Sequence, residues 1–249
     1  MDADIFIGAF CVNEPSNLDP FTGKVALIFG SGQNIGRAIA HEFAGRGARI
    51  AVADINFEGA QETAQSINDA GGEAIALACD VTNSEAILAA ANATAAPLGE
   101  ADIVMNNAGL LHNGYPEDIP LAEWERMFGV NFFGMVRSNE IFLPRMIARG
   151  SGWIVNTSSF AGTYPFALNR IPYAASKAAV LSMSQNMALH LIPKNVRVSC
   201  LIPGPVMTDS VNNMRTFSGD MPMVGPGKHL RVKSQAEAAT ILADGMAAG

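Results

Sequence analysis

The stretch Lys24-Val-Ala-Leu-Ile-Phe29 runs directly into Gly30-Ser-Gly32-Gln-Asn34-Ile35-Gly36, and a helical pattern follows from Arg37 through Phe43 to a stop at Gly45 and Gly47. A short, uninterrupted apolar run is what a strand buried on both faces of a parallel sheet looks like. Placed between such a strand and a helix, the glycines let the backbone come close to a pyrophosphate. The helix start adds unpaired N–H groups and the positive end of its dipole. Without strand and helix on either side the same glycines would make only a loop. This unit therefore predicts a βα start of a dinucleotide-binding sheet.

A second apolar run, Arg49-Ile-Ala-Val-Ala53, ends at Asp54. A carboxylate there would accept hydrogen bonds from the adenosine ribose hydroxyls and repel a 2′-phosphate, which favours NAD over NADP. Ile55-Asn-Phe-Glu58 holds no basic residue to receive that phosphate, and Arg37 is the one competitor. Helix-period segments at Glu58 to Ala70 and Ser84 to Ala95 then alternate with apolar runs at Ala74 to Ala78 and Ala101 to Met105. That alternation predicts a parallel sheet with helices on both faces. Thr82-Asn-Ser-Glu85 has the form of a capping box, and Asp80 is either an adenine-edge contact or a turn carboxylate.

Composition narrows the partners. Of 249 residues, 49% are hydrophobic and 16% charged, as in a well-packed globule, and one domain is expected over 21–249 after an N-terminal extension of 1–20. A net charge of −7 offers no clustered positive surface for nucleic acid or anionic membrane. Cys11, Cys79 and Cys200 are too scattered for a disulfide framework, and they and the four histidines lack metal-ligand spacing. No metal is expected, and a reducing cytoplasm is the simplest location. No apolar run approaches the roughly 18 residues that span a bilayer.

In Tyr173-Ala-Ala-Ser-Lys177 a phenol and an ammonium stand four residues apart, on one face if the segment is helical. Alone, the pair could be an ordinary surface turn. With Asn106-Asn107-Ala108-Gly109 after the fourth strand, however, the ordered set Gly30 to Gly36, Asp54, Asp80, Asn106 to Gly109, Asn131, Ser159, Tyr173 with Lys177, and Pro203-Gly204 resembles the short-chain dehydrogenase/reductase family over residues 22 to about 210. The resemblance implies a Rossmann-type doubly wound parallel sheet of strand order 3-2-1-4-5-6. It implies Tyr173 as acid/base, Lys177 as its activator, and Ser159, rather than Ser158, orienting the substrate oxygen. Asn131 would help hold a water that relays protons toward the lysine. Gly30, Gly32, Asn34, Ile35 and Gly36 would cradle the pyrophosphate, and Asp54, Asp80 and Val81 the adenosine. Asn107, Ala108 and Gly109, with Tyr173, Lys177, Pro203, Gly204 and Thr208, would line the nicotinamide end.

The implied activity is an NAD-dependent interconversion of a secondary alcohol and a ketone on a small, hydrophobic substrate, in a homo-oligomer, either dimer or tetramer. The alternatives are a non-catalytic dinucleotide-binding scaffold, or a non-redox reaction such as epimerisation or dehydration on the same fold. A free phenol titrates near ~10, so poising Tyr173 near neutrality requires about 4 kcal/mol of differential stabilisation, more than an exposed ion pair supplies. Departures from the family pattern are Phe29 for the usual threonine, Asn34 within the phosphate turn, and a Ser159 to Tyr173 interval one residue long, expected as a bulge within Tyr164 to Ile171. Ser234-Gln-Ala-Glu237 opens a last helix, and the usual seventh strand is missing, leaving an edge to be covered. Residues 208–233 are expected to form the substrate loop.

Overall fold

The structure, a computed structural model, describes residues 6–9, 20–164, 168–208, 214–219 and 232–248. Its strands are β1 (Phe6–Ala9), β2 (Val25–Phe29), β3 (Arg49–Asp54), β4 (Ala74–Ala78), β5 (Ile103–Asn106), β6 (Gly152–Thr157) and β7 (Val196–Ile202). The helices are α1 (Asn34–Gly45), α2 (Phe57–Asp69), α3 (Ser84–Leu98), α4 (Leu121–Phe128), α5 (Gly134–Arg149), α6 (Ile171–Leu191) and α7 (Gln235–Ala248). β2 to β7 pair in parallel in the order β4-β3-β2-β5-β6-β7, the predicted 3-2-1-4-5-6 arrangement.

The edge beyond β7 is not bare. The N-terminal segment supplies β1, which pairs antiparallel with β7 in the register Phe6↔Ile202 to Ala9↔Ser199. The edge position beside β7 is thus taken by a segment from the N-terminal end of the chain, and part of the expected extension belongs to the sheet. An unpaired β7 would present a row of open N–H and C=O groups, and β1 satisfies them.

Alternation along each strand divides the core into two layers. Ala26 and Ile28 face Ile39 and Phe43 of α1 and Leu242 and Met246 of α7. Val25, Leu27 and Phe29 face Ile87 of α3, Phe142 of α5 and Leu191 of α6. The unusual Phe29 is accounted for here: its ring lies 6.2 Å from that of Phe142 and is fully enclosed.

Helix starts follow local chemistry, with one correction. Asn83, not Thr82, caps α3, accepting from the N–H groups of Glu85 and Ala86 at 2.8 and 3.3 Å. Thr82 instead turns back to Asp80 Oδ1, with both its N–H and its hydroxyl at 2.8 Å. The α7 box is reciprocal as read: the Glu237 N–H donates to Ser234 Oγ and the Ser234 N–H to Glu237 Oε2.

Candidate active site

The carboxyl ends of β2, β3 and β5 build one half of a cleft almost entirely from backbone. Gly30 leaves β2 at φ 76°, and a Cβ there would come within 2.6 Å of Ala108 Cα. A Cβ at Gly36 would overlap the carbonyl oxygen of Gly30. Asn34 sits at φ 52°, the left-handed conformation that asparagine tolerates best among side-chain-bearing residues. Asn56 and Asn83 cap α2 and α3 with their side chains, whereas Gln33 places no side chain over the start of α1. A helix start left open behind a turn that excludes side chains fits a pyrophosphate.

Asp54, buried at the end of β3, accepts from the Gly32 N–H at 2.8 Å and the Asn56 N–H at 2.9 Å. A Cβ at Gly32 would press on that carboxylate at 3.0 Å. Arg37 folds back onto Gly32 O at 2.7 Å, Thr63 Oγ1 at 2.9 Å and Glu62 at 2.9 Å. Asp80 lies in the turn after β4, tied to Thr82, and its neighbour Val81 packs where a Cβ on Gly134 would come within 3.0 Å.

The other half rests on side-chain hydrogen bonds. Asn107 Nδ2 donates to Gly30 O at 2.9 Å, joining the two halves. Between α4 and α5 the helix widens into a π-helical stretch, Gly129–Phe133, which re-aims the fully buried Asn131. Asn131 Oδ1 accepts from the Leu110 N–H at 2.7 Å, and its Nδ2 donates to Leu110 O at 2.9 Å and Ser176 Oγ at 3.0 Å. Its amide therefore clamps the loop after β5.

Lys177, 3% exposed, donates from Nζ to Thr157 O at 2.7 Å and lies 5.8 Å from the centre of the Tyr173 ring. A Cβ on Gly109 would stand 3.6 Å from that ammonium. Burial lowers the Lys177 pKa to about 8. Burial also raises that of Tyr173, opposed by a hydrogen bond with Ser159 and by the charge of Arg170. Ser159 Oγ in addition accepts from the Ala161 N–H at 3.2 Å. Ser158 gives its hydroxyl to Lys177 O at 2.6 Å, which ties the β6 loop to α6. Gly162 makes that approach tight, since a Cβ there would meet Lys177 C and Ala178 N at 2.6 Å.

The remaining expected residues stand around this centre. Pro203 O accepts from the Phe160 N–H at 2.9 Å, Gly204 follows it in the same turn, and Thr208 is half-buried just beyond. Of the expected bulge, residues 165–167 lie outside the described residues. The sequence reading missed Arg170, which precedes α6 and donates from Nε to Asn113 Oδ1 at 2.8 Å. Its signal was available only as a basic residue three positions before Tyr173.

A doubly wound sheet whose glycine-rich turn opens onto an uncapped helix start defines a Rossmann-type dinucleotide-binding fold. Residues 24–218 match the sequence model of the family described as short chain dehydrogenase, and the chain belongs to that family of oxidoreductases, which use NAD(H) or NADP(H). It is 37% identical over 196 residues to the 7alpha-hydroxysteroid dehydrogenase of Escherichia coli (strain K12), covering 78% of this chain and 75% of the relative. It is likewise 37% identical over 188 residues to the D-threitol dehydrogenase of Mycolicibacterium smegmatis, covering 75% and 72%. A solved 7 alpha-hydroxysteroid dehydrogenase complexed with NADH and 7-oxo glycochenodeoxycholic acid superposes with a TM-score of 0.78 at 31% identity, over 90% of this chain and 87% of that one. A 3-ketoacyl-(acyl-carrier-protein) reductase from Brucella melitensis complexed with NADH gives 0.78 at 30% identity, over 90% of each.

Proposed function

We propose that this chain is an NAD-dependent oxidoreductase that interconverts a secondary alcohol and a ketone, with Tyr173 as the acid/base. The observation that carries the reading is the convergence of Ser159, Tyr173 and Lys177 on the cleft side of β6 and α6, beside a loop clamped by Asn131. When bound, the dinucleotide supplies the hydride acceptor or donor, and in its oxidised form a positive charge beside the phenol. In the oxidative direction Tyr173 Oη takes the substrate hydroxyl proton, and Ser159 Oγ orients the same oxygen. A donor fixed there stabilises the charge that develops on it. With its pKa lowered to about 8, Lys177 can both hold a proton and release one near neutrality, which suits it to pass the proton on from Tyr173. Asn131 acts as a positioning residue, through Leu110. Half-buried Leu110, Leu111, Met214 and Phe217, with exposed Tyr164 and Met207, give the cleft an apolar character suited to a hydrophobic substrate body.

NAD is the expected dinucleotide because Asp54 sits at the ribose position and Arg37 is committed to Gly32, Thr63 and Glu62 rather than held open for a phosphate. Association into dimers or tetramers is supported by exposed apolar residues on neighbouring helices, among them Leu121, Val136 and Leu189. A cytoplasmic location is supported by the buried free thiols Cys79 and Cys200.

The test follows NADH absorbance with a panel of alcohols and ketones. Tyr173→Phe should lower kcat by at least about 10²-fold while NADH binding persists. Turnover that survives Tyr173→Phe, or a clear preference for NADPH, would refute the acid/base or the cofactor assignment respectively.

A further inference from the structure

Arg170 is placed and held like a ligand-binding group. It is the residue just before α6, so its side chain leaves the helix start on the side that carries Tyr173, three residues on. Its charge acts on the Tyr173 hydroxyl. Nε is fixed by Asn113 Oδ1 at 2.8 Å. Asn113 is itself buried and pinned through its backbone, donating to Arg215 O and accepting from the Phe217 N–H, both at 2.9 Å. The adjoining Gly114 N–H reaches back to Asn169 O at 2.9 Å. The guanidinium is therefore preorganised at the meeting point of the β5 loop, the segment around Phe217 and the start of α6.

What it lacks is an anion. Arg37, Arg46, Arg126, Arg145 and Arg215 each stand within 4 Å of a glutamate or aspartate, while Arg49, Arg137 and Arg149 donate to backbone carbonyls and Arg197 lies over the Trp153 ring. Among the described residues no carboxylate lies at ion-pair distance from Arg170, and its side-chain hydrogen bond is the one through Nε. Among the described residues, Lys177 is committed to Thr157 O and Arg215 to Glu123 Oε1, both at 2.7 Å. Burial disfavours the charged form of Arg170, as expected for a cation taken out of water without a counter-ion. With Nε occupied, the two terminal nitrogens remain, and their fork matches the two oxygens of a carboxylate.

We infer that Arg170 receives an anionic group of the substrate, so that the alcohol or ketone acted on here also carries a carboxylate within a few bonds of its reacting carbon. The inference rests on the oxidoreductase reading and deepens it: the apolar lining takes the body, and Arg170 takes the acid end. Arg170 stands three residues before Tyr173 and its charge reaches that hydroxyl, which keeps the acid end close to the reacting carbon.

The experiment compares hydroxypentanoates bearing the hydroxyl at the second, third or fourth carbon with the matched neutral secondary pentanols, using NAD and the wild type, Arg170→Gln and Arg170→Lys. For at least one of the acids the wild-type kcat/KM should exceed that of its neutral counterpart by about 100-fold, the size of two charge-assisted hydrogen bonds. Arg170→Gln should bring that ratio close to one, and Arg170→Lys should keep part of it. A wild-type ratio near one, or an Arg170→Gln variant that slows acids and neutral alcohols by the same factor, would overturn the inference and leave the oxidoreductase reading standing. A calorimetric titration of unreactive pentanoate into the NADH-loaded protein separates the two claims. If no alcohol or ketone turns over, the oxidoreductase reading fails, and pentanoate binding that is lost in Arg170→Gln still supports the anion site, while equal or absent binding refutes it. Circular dichroism checks the fold of Arg170→Gln; should it be disrupted, the wild-type ratio and Arg170→Lys decide.

Discussion

The two halves of the cleft are built by different means. On the dinucleotide side the shape comes from atoms that are absent: no side chain can exist at Gly30 or Gly36, and the uncapped start of α1 lies behind them. On the catalytic side the shape comes from side chains that hold the backbone: Asn131 on Leu110, Lys177 on Thr157, Ser158 on α6, and Asn113 on Arg170. Steric exclusion tolerates no substitution, whereas a hydrogen-bonded clamp can be loosened by degrees. The halves should therefore fail differently when perturbed.

The largest contrast is expected between two glycines. In Gly36→Ala the new methyl meets the Gly30 carbonyl, which belongs to the phosphate turn, so the turn must move. NADH affinity, read by fluorescence titration, should fall by about 5- to 150-fold, since overpacking of this kind costs about 1–3 kcal/mol. In Gly162→Ala the methyl meets Lys177 and Ala178 backbone at 2.6 Å, on the catalytic side. There kcat should fall while NADH affinity changes little. Equal losses of affinity in both variants would break the division of the cleft into two halves.

Asn131→Ala tests a clamp. It leaves the N–H and C=O of Leu110 without their partner in a half-buried loop, at a cost of about 1–3 kcal/mol in all. Unfolding in denaturant should show a loss of that order, with a fall in kcat because the loop no longer presents Gly109 beside Lys177. A wild-type stability would mean that Asn131 carries no structural load.

Lys177 offers a test by pH. Its proton leaves the folded chain at a pH of about 8, below the ordinary value of 10.5, so between those values the unfolded chain binds more protons. Stability contributed by this group is therefore full above 10.5 and is lost as pH falls through about 8. The amount is up to about 3 kcal/mol. Unfolding free energies of the dinucleotide-free protein at pH 7 and pH 10 should differ more for the wild type than for Lys177→Met, by that order. The same pH dependence in both would show that Lys177 does not titrate in this window.

How much could be read beforehand divides along the same line. The strand–turn–helix unit and the alternation of strands with helices were legible because each follows from backbone sterics and from period, which a single sequence displays, whereas the strand order came with the family resemblance. Pairing of Phe6–Ala9 with β7 was not legible, because an edge strand is chosen by whichever segment reaches it, and nothing local in Phe6 to Ala9 names its partner. Thr82 and Asn83 are both residue types that cap a helix, and only the competing hydrogen bond of Thr82 to Asp80 decides between them. Arg170 stayed invisible because its meaning lies in the bond to Asn113 and in having no carboxylate beside it among the described residues, both of them facts of three-dimensional placement.

Asn34 lies on the boundary between the two kinds of construction and gives the smallest expected effect. Its φ of 52° asks for glycine, yet it carries a side chain whose Oδ1 receives Gln235 Nε2 from α7 at 3.4 Å. If the backbone conformation is what the turn needs, Asn34→Gly should keep stability within about 0.5 kcal/mol of wild type, while Asn34→Ala should lose about 1–2 kcal/mol, the cost of holding an ordinary side chain in the left-handed region. NADH affinity should follow the same order, glycine close to wild type and alanine weaker. If glycine and alanine instead lose equally, the side chain is the working part, and this position belongs with the clamps of the catalytic half rather than with the glycines on either side of it.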